Sequence, residues 1–181
     1  GAEDCLFVAE KSLDAASGGT VKTTNVVCPE RGSVDGFIDL HTHDQTPVAY
    51  PQDGGCIISR GLAQALHLSA GDTITLQTSD LRRTSLTVEA VFENYVYNYV
   101  YLTQNTWQKV FGETPAYEAA LVNFLEDTDA QTASAALARA KNAAAVTLSS
   151  DFRSRVATMM QSLRYIVLVV VVCAAALAFI V

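Results

Sequence analysis

Two sets of side chains have the types and spacing from which chemistry could be built. His41, His43 and Asp44 place two imidazoles and a carboxylate within four positions. Alternate residues of an extended segment project from one face, so the two rings could ligate a metal together. A metal site needs a third or fourth ligand from elsewhere, and a polar loop accounts for the same residues, so no metal and no cofactor is assigned. Tyr95, Tyr97, Tyr99 and Tyr101 alternate with Val96, Asn98, Val100 and Leu102. On a strand this would display four phenol rings along one face. Tyrosine combines a large apolar area with a polar tip, which suits a ligand or partner surface, and it suits cross-strand packing as well.

Other chemistries lack their residues. No serine, histidine and aspartate occur in a context that makes a catalytic set, and neither a phosphate-cradling glycine loop nor a nucleophile elbow is present. Catalysis is therefore not expected. The cysteines, Cys5, Cys28, Cys56 and Cys173, form no Cys-x-x-Cys pair and no zinc spacing. Cys5 and Cys28 bound two β-type runs. They are either a disulfide across a hairpin or two separate buried thiols. With 12 basic against 19 acidic residues the net charge is −7, which repels phosphate backbones and excludes nucleic acid as a partner.

The elements that must position these residues follow from periodicity and punctuation. Strands are expected at Cys5 to Ala9 and over Val21, Thr23, Thr24, Val26 and Val27, with a turn at Ser17, Gly18 and Gly19 between them. Glu30 to Gly55 reads as a loop with one short strand near Phe37 to Leu40. Cys56 to Ile58 is followed by a helix from Arg60 to Leu68, with Ser59 as its N-cap. A hairpin is expected from Thr73 to Thr78 and Thr84 to Glu93, then a strand from Tyr97 to Leu102 and a helix from Thr103 that stops near Gly112. The last third reads as β-α-β: strand Ala119 to Leu125, an Ala-rich helix from Asp129 to Asn142, and strand Ala145 to Leu148. The class is α+β. A β-rich part is expected at about 30–112, and an α+β part at about 1–29 with 113–150.

Beyond Asp151 the character changes. Phe152, Val156, Met159, Leu163 and Ile166 recur at 4-3-4-3 spacing, the seam of a stalk helix over 151–164. From Tyr165 to Val181 no residue is charged. These roughly 17 positions, at about 1.5 Å each, reach about 25 Å, so 165–181 is expected to be the start of a transmembrane helix embedded in membrane lipid. No proline or glycine falls between Phe152 and Val181, so stalk and membrane segment should form one stiff rod. The chain, which starts at Gly1, is read as a piece of a larger membrane protein.

Several stretches carry a resemblance. Gly55-Cys56-Ile57-Ile58-Ser59-Arg60-Gly61-Leu62-Ala63, then Leu66-His67-Leu68-Ser69-Ala70-Gly71-Asp72-Thr73-Ile74, resemble the extracytoplasmic domain of FtsX-like (MacB-like) ABC transporter permeases of the Gram-positive type. So do Phe92-Glu93-Asn94-Tyr95, Tyr99-Val100-Tyr101-Leu102, and Ser162-Leu163 leading into the apolar tail. The resemblance spans about Asp53 to Val181. It implies a cell-membrane protein whose domain lies outside the cell, between the first and second membrane helices. It also implies a cytoplasmic ATP-binding subunit as partner, with motion passed through the stalk, and a peptide, lipid or extracellular protein as ligand. The absence of a Walker-type motif suits a permease. Two other readings stand beside it: a cell-surface binding or adhesion module with one C-terminal anchor, and a small double-psi-barrel enzyme domain suggested by the Gly71-Asp72 turn.

Overall fold

The computed structural model describes residues 2–94, 96–124, 165, 167 and 169–172. The first strand, β1 (Ala2–Ser17), turns back through Gly18 and Gly19 into β2 (Thr20–Pro29). Both glycines have positive φ, 54° and 86°, as a tight two-residue hairpin turn requires, and Ser17 faces Thr20 across it. β3 (Gly55–Ser59) runs into α1 (Arg60–Leu66); β4 (Thr73–Gln77) and β5 (Arg83–Phe92) form a hairpin; β6 (Tyr99–Tyr101) leads to α2 (Gln104–Phe111), and β7 (Ala119–Phe124) follows.

The strands form one seven-stranded sheet in the order β2-β6-β3-β5-β4-β1-β7, and β1 also pairs with β2. The series therefore closes: β1 is bonded to β2 along Val8 to Ser17 and to β4 at Asp14 to Ala16, which makes a six-stranded ring with β7 added on the flank of β1. The ring is mixed, with β2–β6 and β3–β5 parallel and the other pairs antiparallel. Closure removes the edges that an open sheet would expose.

Alternation along each strand sends side chains to two separate cores. Inside the ring lie Leu13 and Ala15, Val26 and Cys28, Cys56 and Ile58, Ile74 and Leu76, Leu86 and Val88, and Val100. Leu62, Ala63 and Leu66 of α1 and Trp107 and Val110 of α2 complete that cluster. Leu6, Val8, Val27, Ile57, Phe92 and Tyr101 point outward and are covered by Val34, Leu40 and Val48 of the long loop between β2 and β3. That loop is tied down by Val48 N–H to the Leu40 carbonyl (2.8 Å) and by Glu93 N–H to the His41 carbonyl (2.7 Å).

A bulge sets which residues of β5 face which core. Cys56 pairs with Val88, but Ile57 pairs with Ala90, so Glu89 is left over. Its carboxylate accepts the Gln52 N–H at 3.1 Å on each oxygen, over Gly55. A Cβ at Gly55 would stand 1.9 Å from Glu89 Oε1, which is why this position is a glycine.

Several expectations change. β1 extends to Ser17, well past Ala9, because β2 and β4 bond it from both sides. Phe37 to Leu40 is not a strand; the loop closes on an isolated bridge between His41 and Pro47. Ser59 occupies the N-cap of α1, but its hydroxyl accepts the Tyr99 N–H (3.1 Å), and the helix ends at Leu66 because His67 takes a left-handed conformation. Strands assigned to separate parts at 1–29 and 30–112 share one sheet, and Ala2–Asn123 is one compact unit. Gly1 with Phe124–Val181 is a second. The architecture of Ala2–Asn123 is α+β, a mixed sheet with two short helices. The expected helix 129–142, strand 145–148 and stalk 151–164 lie outside the described residues.

Of the second unit, Tyr165, Val167 and Val169, Val170, Val171 and Val172 are helical, with 56 to 63% of each residue's surface exposed. Among the described residues no helix is long and apolar enough to cross a membrane.

Candidate functional site

Registers across the ring place the tyrosines. Glu10 of β1 faces Val27 of β2, Val27 faces Tyr101 of β6, and Tyr101 faces Ile57 of β3. Glu10, Val27, Tyr101 and Ile57 are thus one row on the outer face; Ser12, Asn25 and Tyr99 make the next. With strands about 4.8 Å apart, Glu10 and Tyr101 are separated by two spacings, about 10 Å. Their side chains border a recess of about 360 Å³, lined also by Val8, Val27, Ile38 to Leu40, Phe92 to Asn94, Tyr99 and Leu121.

Aromatic contacts fix the far wall. Tyr99 and Tyr101 stack with centroids 6.4 Å apart at 19°, and Tyr101 also packs against Phe92 (5.3 Å) and edge-on against Tyr50 (6.1 Å). Tyr50 is held by its hydroxyl donating to the Leu102 carbonyl at 2.9 Å. Tyr101 is 5% exposed. Burial raises the Tyr101 pKa, and neighbouring Tyr99 and the Glu10 carboxylate raise it further; burial, then Glu10, raise that of Tyr99.

Three carboxylates stand on the recess, in different states. Glu93, 7% exposed, accepts from Arg60 Nη1 at 2.9 Å, with His43 Nδ1 3.7 Å away. Asp39 is exposed and has the His41 ring at 3.6 Å. Glu10 is exposed and has no ion-pair partner among the described residues. The lining contains no lysine, arginine or histidine, so the recess is apolar and aromatic with negative charge at its rim.

The expected four-rung ladder has two rungs here. Tyr99 and Tyr101 share the outer face. Tyr97 stands before the strand in a bend at φ 61° and is 76% exposed. Side chains hold that bend: Asn94 Nδ2 donates to the Val96 carbonyl (2.9 Å) and Asn98 Nδ2 to the Thr23 carbonyl (3.2 Å). Tyr95 lies outside the described residues, as do the seam positions Phe152, Val156, Met159, Leu163 and Ile166. Cys5 and Cys28 are free thiols: the register sets Ala9, not Cys5, opposite Cys28. His41 and His43 turn to Asp39 and Glu93 respectively, and no group of three or more metal-binding side chains exists among the described residues.

Glu10, Asp39 and Leu121 also line the recess and are not among the residues that the sequence singles out. Glu10 left one trace, as the charged member of the alternating set Leu6, Val8, Glu10. Only the register ties it to Tyr101.

Comparison with known proteins places the fold. No protein-family model matches the chain, and no curated protein does. Among solved structures, the chain is similar to the extracellular domain of the noncanonic ABC-type transporter YknZ from Gram-positive bacteria, with TM-score 0.53 and 18% identity over 74% of this chain and 70% of that one. It is also similar to the periplasmic region of MacB from Actinobacillus actinomycetemcomitans, with TM-score 0.50 and 12% identity over 75% of this chain and 64% of that one. The chain has the fold of the extracytoplasmic domains of FtsX- and MacB-like ABC transporter permeases.

Proposed function

We propose that the chain works as the extracytoplasmic domain of an ABC transporter permease, coupling capture of a ligand or partner outside the cell to a cytoplasmic ATP-binding subunit through the helix that begins near Phe152. The observation that carries this reading is the fold that about three quarters of the chain, 74 to 75%, shares with domains of such transporters. The helical valines add to it. At 100° per residue, Val169, Val170, Val171 and Val172 cover every side of a helix, and all are exposed, as suits contact with lipid.

Force passes along an α-helix because its hydrogen bonds run along the axis. A signal at the recess would reach the membrane through whatever joins the sheet to that helix, and unwinding the helix would stop it. The test is ATP turnover of the parent complex in proteoliposomes. Tyr99→Ser should change turnover in the parent, and the same substitution should have no effect once Gly-Gly is inserted after Thr158. An equal response with and without the insertion would overturn the lever.

A further inference from the structure

We propose that the outer-face recess receives a basic side chain, arginine or lysine, presented by a partner polypeptide. This inference rests on the reading above and names the chemistry of the ligand at the same face.

The recess separates its charges from its apolar floor in the way a long basic side chain requires. An alkyl stem can lie over Val27 while the cation meets carboxylate and aromatic faces. Of the three carboxylates, Glu93 is paired with Arg60 and Asp39 has the His41 ring at 3.6 Å, which leaves Glu10 as the one without an ion-pair partner among the described residues. Tyr101 supplies an aromatic surface beside that charge: it is 5% exposed, lines the recess and stacks with Tyr99. The row Glu10, Val27, Tyr101 sets the backbones of its two outer residues about 10 Å apart, so a basic side chain can lie between them over Val27.

The same geometry disfavours a phospholipid amine. A headgroup ammonium brings a phosphate within a few bonds, and the lining offers no cation to meet it. A guanidinium or ammonium on a peptide carries no such anion. The volume of about 360 Å³ has room for one or two side chains, so the partner would contribute a residue to the recess rather than enter it whole.

The test uses the full 181-residue chain in neutral detergent micelles, titrated calorimetrically with the synthetic pentapeptide Leu-Arg-Leu-Arg-Leu. Saturable binding is expected, weakened at least tenfold when citrulline, equal in shape but uncharged, replaces both arginines. Glu10→Gln with Asp39→Asn, both at exposed positions, should weaken binding about three- to tenfold, and Tyr101→Phe about twofold, with circular dichroism unchanged. The proposal is overturned by equal binding of the citrulline peptide, by unchanged affinity in the double carboxylate variant, by no binding at millimolar peptide, or by phosphatidylethanolamine added to the micelles displacing the peptide from the recess. Loss of this proposal alone would leave the ATP-turnover response to Tyr99→Ser intact; loss of the transporter reading would abolish that response whatever the peptide does.

Discussion

The two faces of the ring are built from the same strands, one residue apart, and do different work. Inward, β6 presents Val100 and β2 presents Val26 and Cys28; outward, the next residues are Tyr99, Tyr101 and Val27. The inner face is aliphatic and sealed, with α1 and α2 completing it. The outer face is aromatic, partly covered by the loop after β2, and edged with carboxylates. A register slip of one residue would exchange the two sets. Stability should therefore answer mainly to the inner face and recognition to the outer.

The largest effect should come from Trp107, which is fully buried inside the ring and packs at a tilt against Phe111, with ring centroids 4.3 Å apart. Trp107→Ala should cost about 3–5 kcal/mol, read by urea unfolding. The contrast would break if this variant lost peptide binding at the recess while still folded, since that would mean that the faces are not separable.

The inner thiols give a second, pH-dependent measure. Burial pushes Cys28 and Cys56 up to about 12, with the Glu89 carboxylate adding to the effect at Cys56. The unfolded chain releases thiol protons from about pH 8.5, while the folded chain keeps them. The unfolded state then binds fewer protons, so each thiol removes stability at up to about 1.4 kcal/mol per pH unit as pH rises from about 9 toward the folded value. Urea midpoints at pH 8 and pH 10 should differ accordingly, and less so in Cys28→Ala with Cys56→Ala. Half-buried Cys5 should react with iodoacetamide at pH 8 while those two resist until unfolding. Equal labelling of the three would contradict the sealed interior.

Gly55 lies where the faces are assigned. Gly55→Ala should displace the Glu89 carboxylate and its bonds to Gln52, costing about 1–2 kcal/mol. In a Glu89→Ala background the same substitution should cost much less. Additive costs in this double-mutant cycle would show that the bulge does not depend on the carboxylate over the glycine.

What the sequence shows of this contrast is local. Gly18-Gly19, Thr103 and Gly112 fall where turn and cap residues must, and the alternation Leu86, Val88 identifies a half-buried strand. Past the bulge, the expected run through Ala90 and Phe92 changes sides: Phe92 joins the outer core. Ring closure is not legible. Lys11, Asp14, Ala15 and Ala16 have little intrinsic β preference and become strand only because two neighbours bond them. The candidate site is half legible. Tyr99 and Tyr101 stand out by spacing, but a left-handed backbone at Tyr97 ends the ladder, and Glu10 reaches it only through a register set by residues far along the chain.

The smallest effect separates ordinary surface electrostatics from the carboxylates of the recess. Hydrogen bonds from Thr103 (2.5 Å) and Asn105 (2.7 Å) hold the Asp53 pKa below its usual value. A depressed pKa means that the folded state favours the charged form. Its contribution is present above the unfolded carboxylate range and is lost as pH falls through the folded value. Asp53→Asn should therefore slightly flatten the loss of stability between pH 5 and pH 3, and leave peptide affinity at pH 7 unchanged. Glu10→Gln should instead weaken peptide affinity at pH 7. If Asp53→Asn weakened peptide binding as much as Glu10→Gln does, general negative charge rather than the row through Val27 and Tyr101 would be what the basic side chain reads.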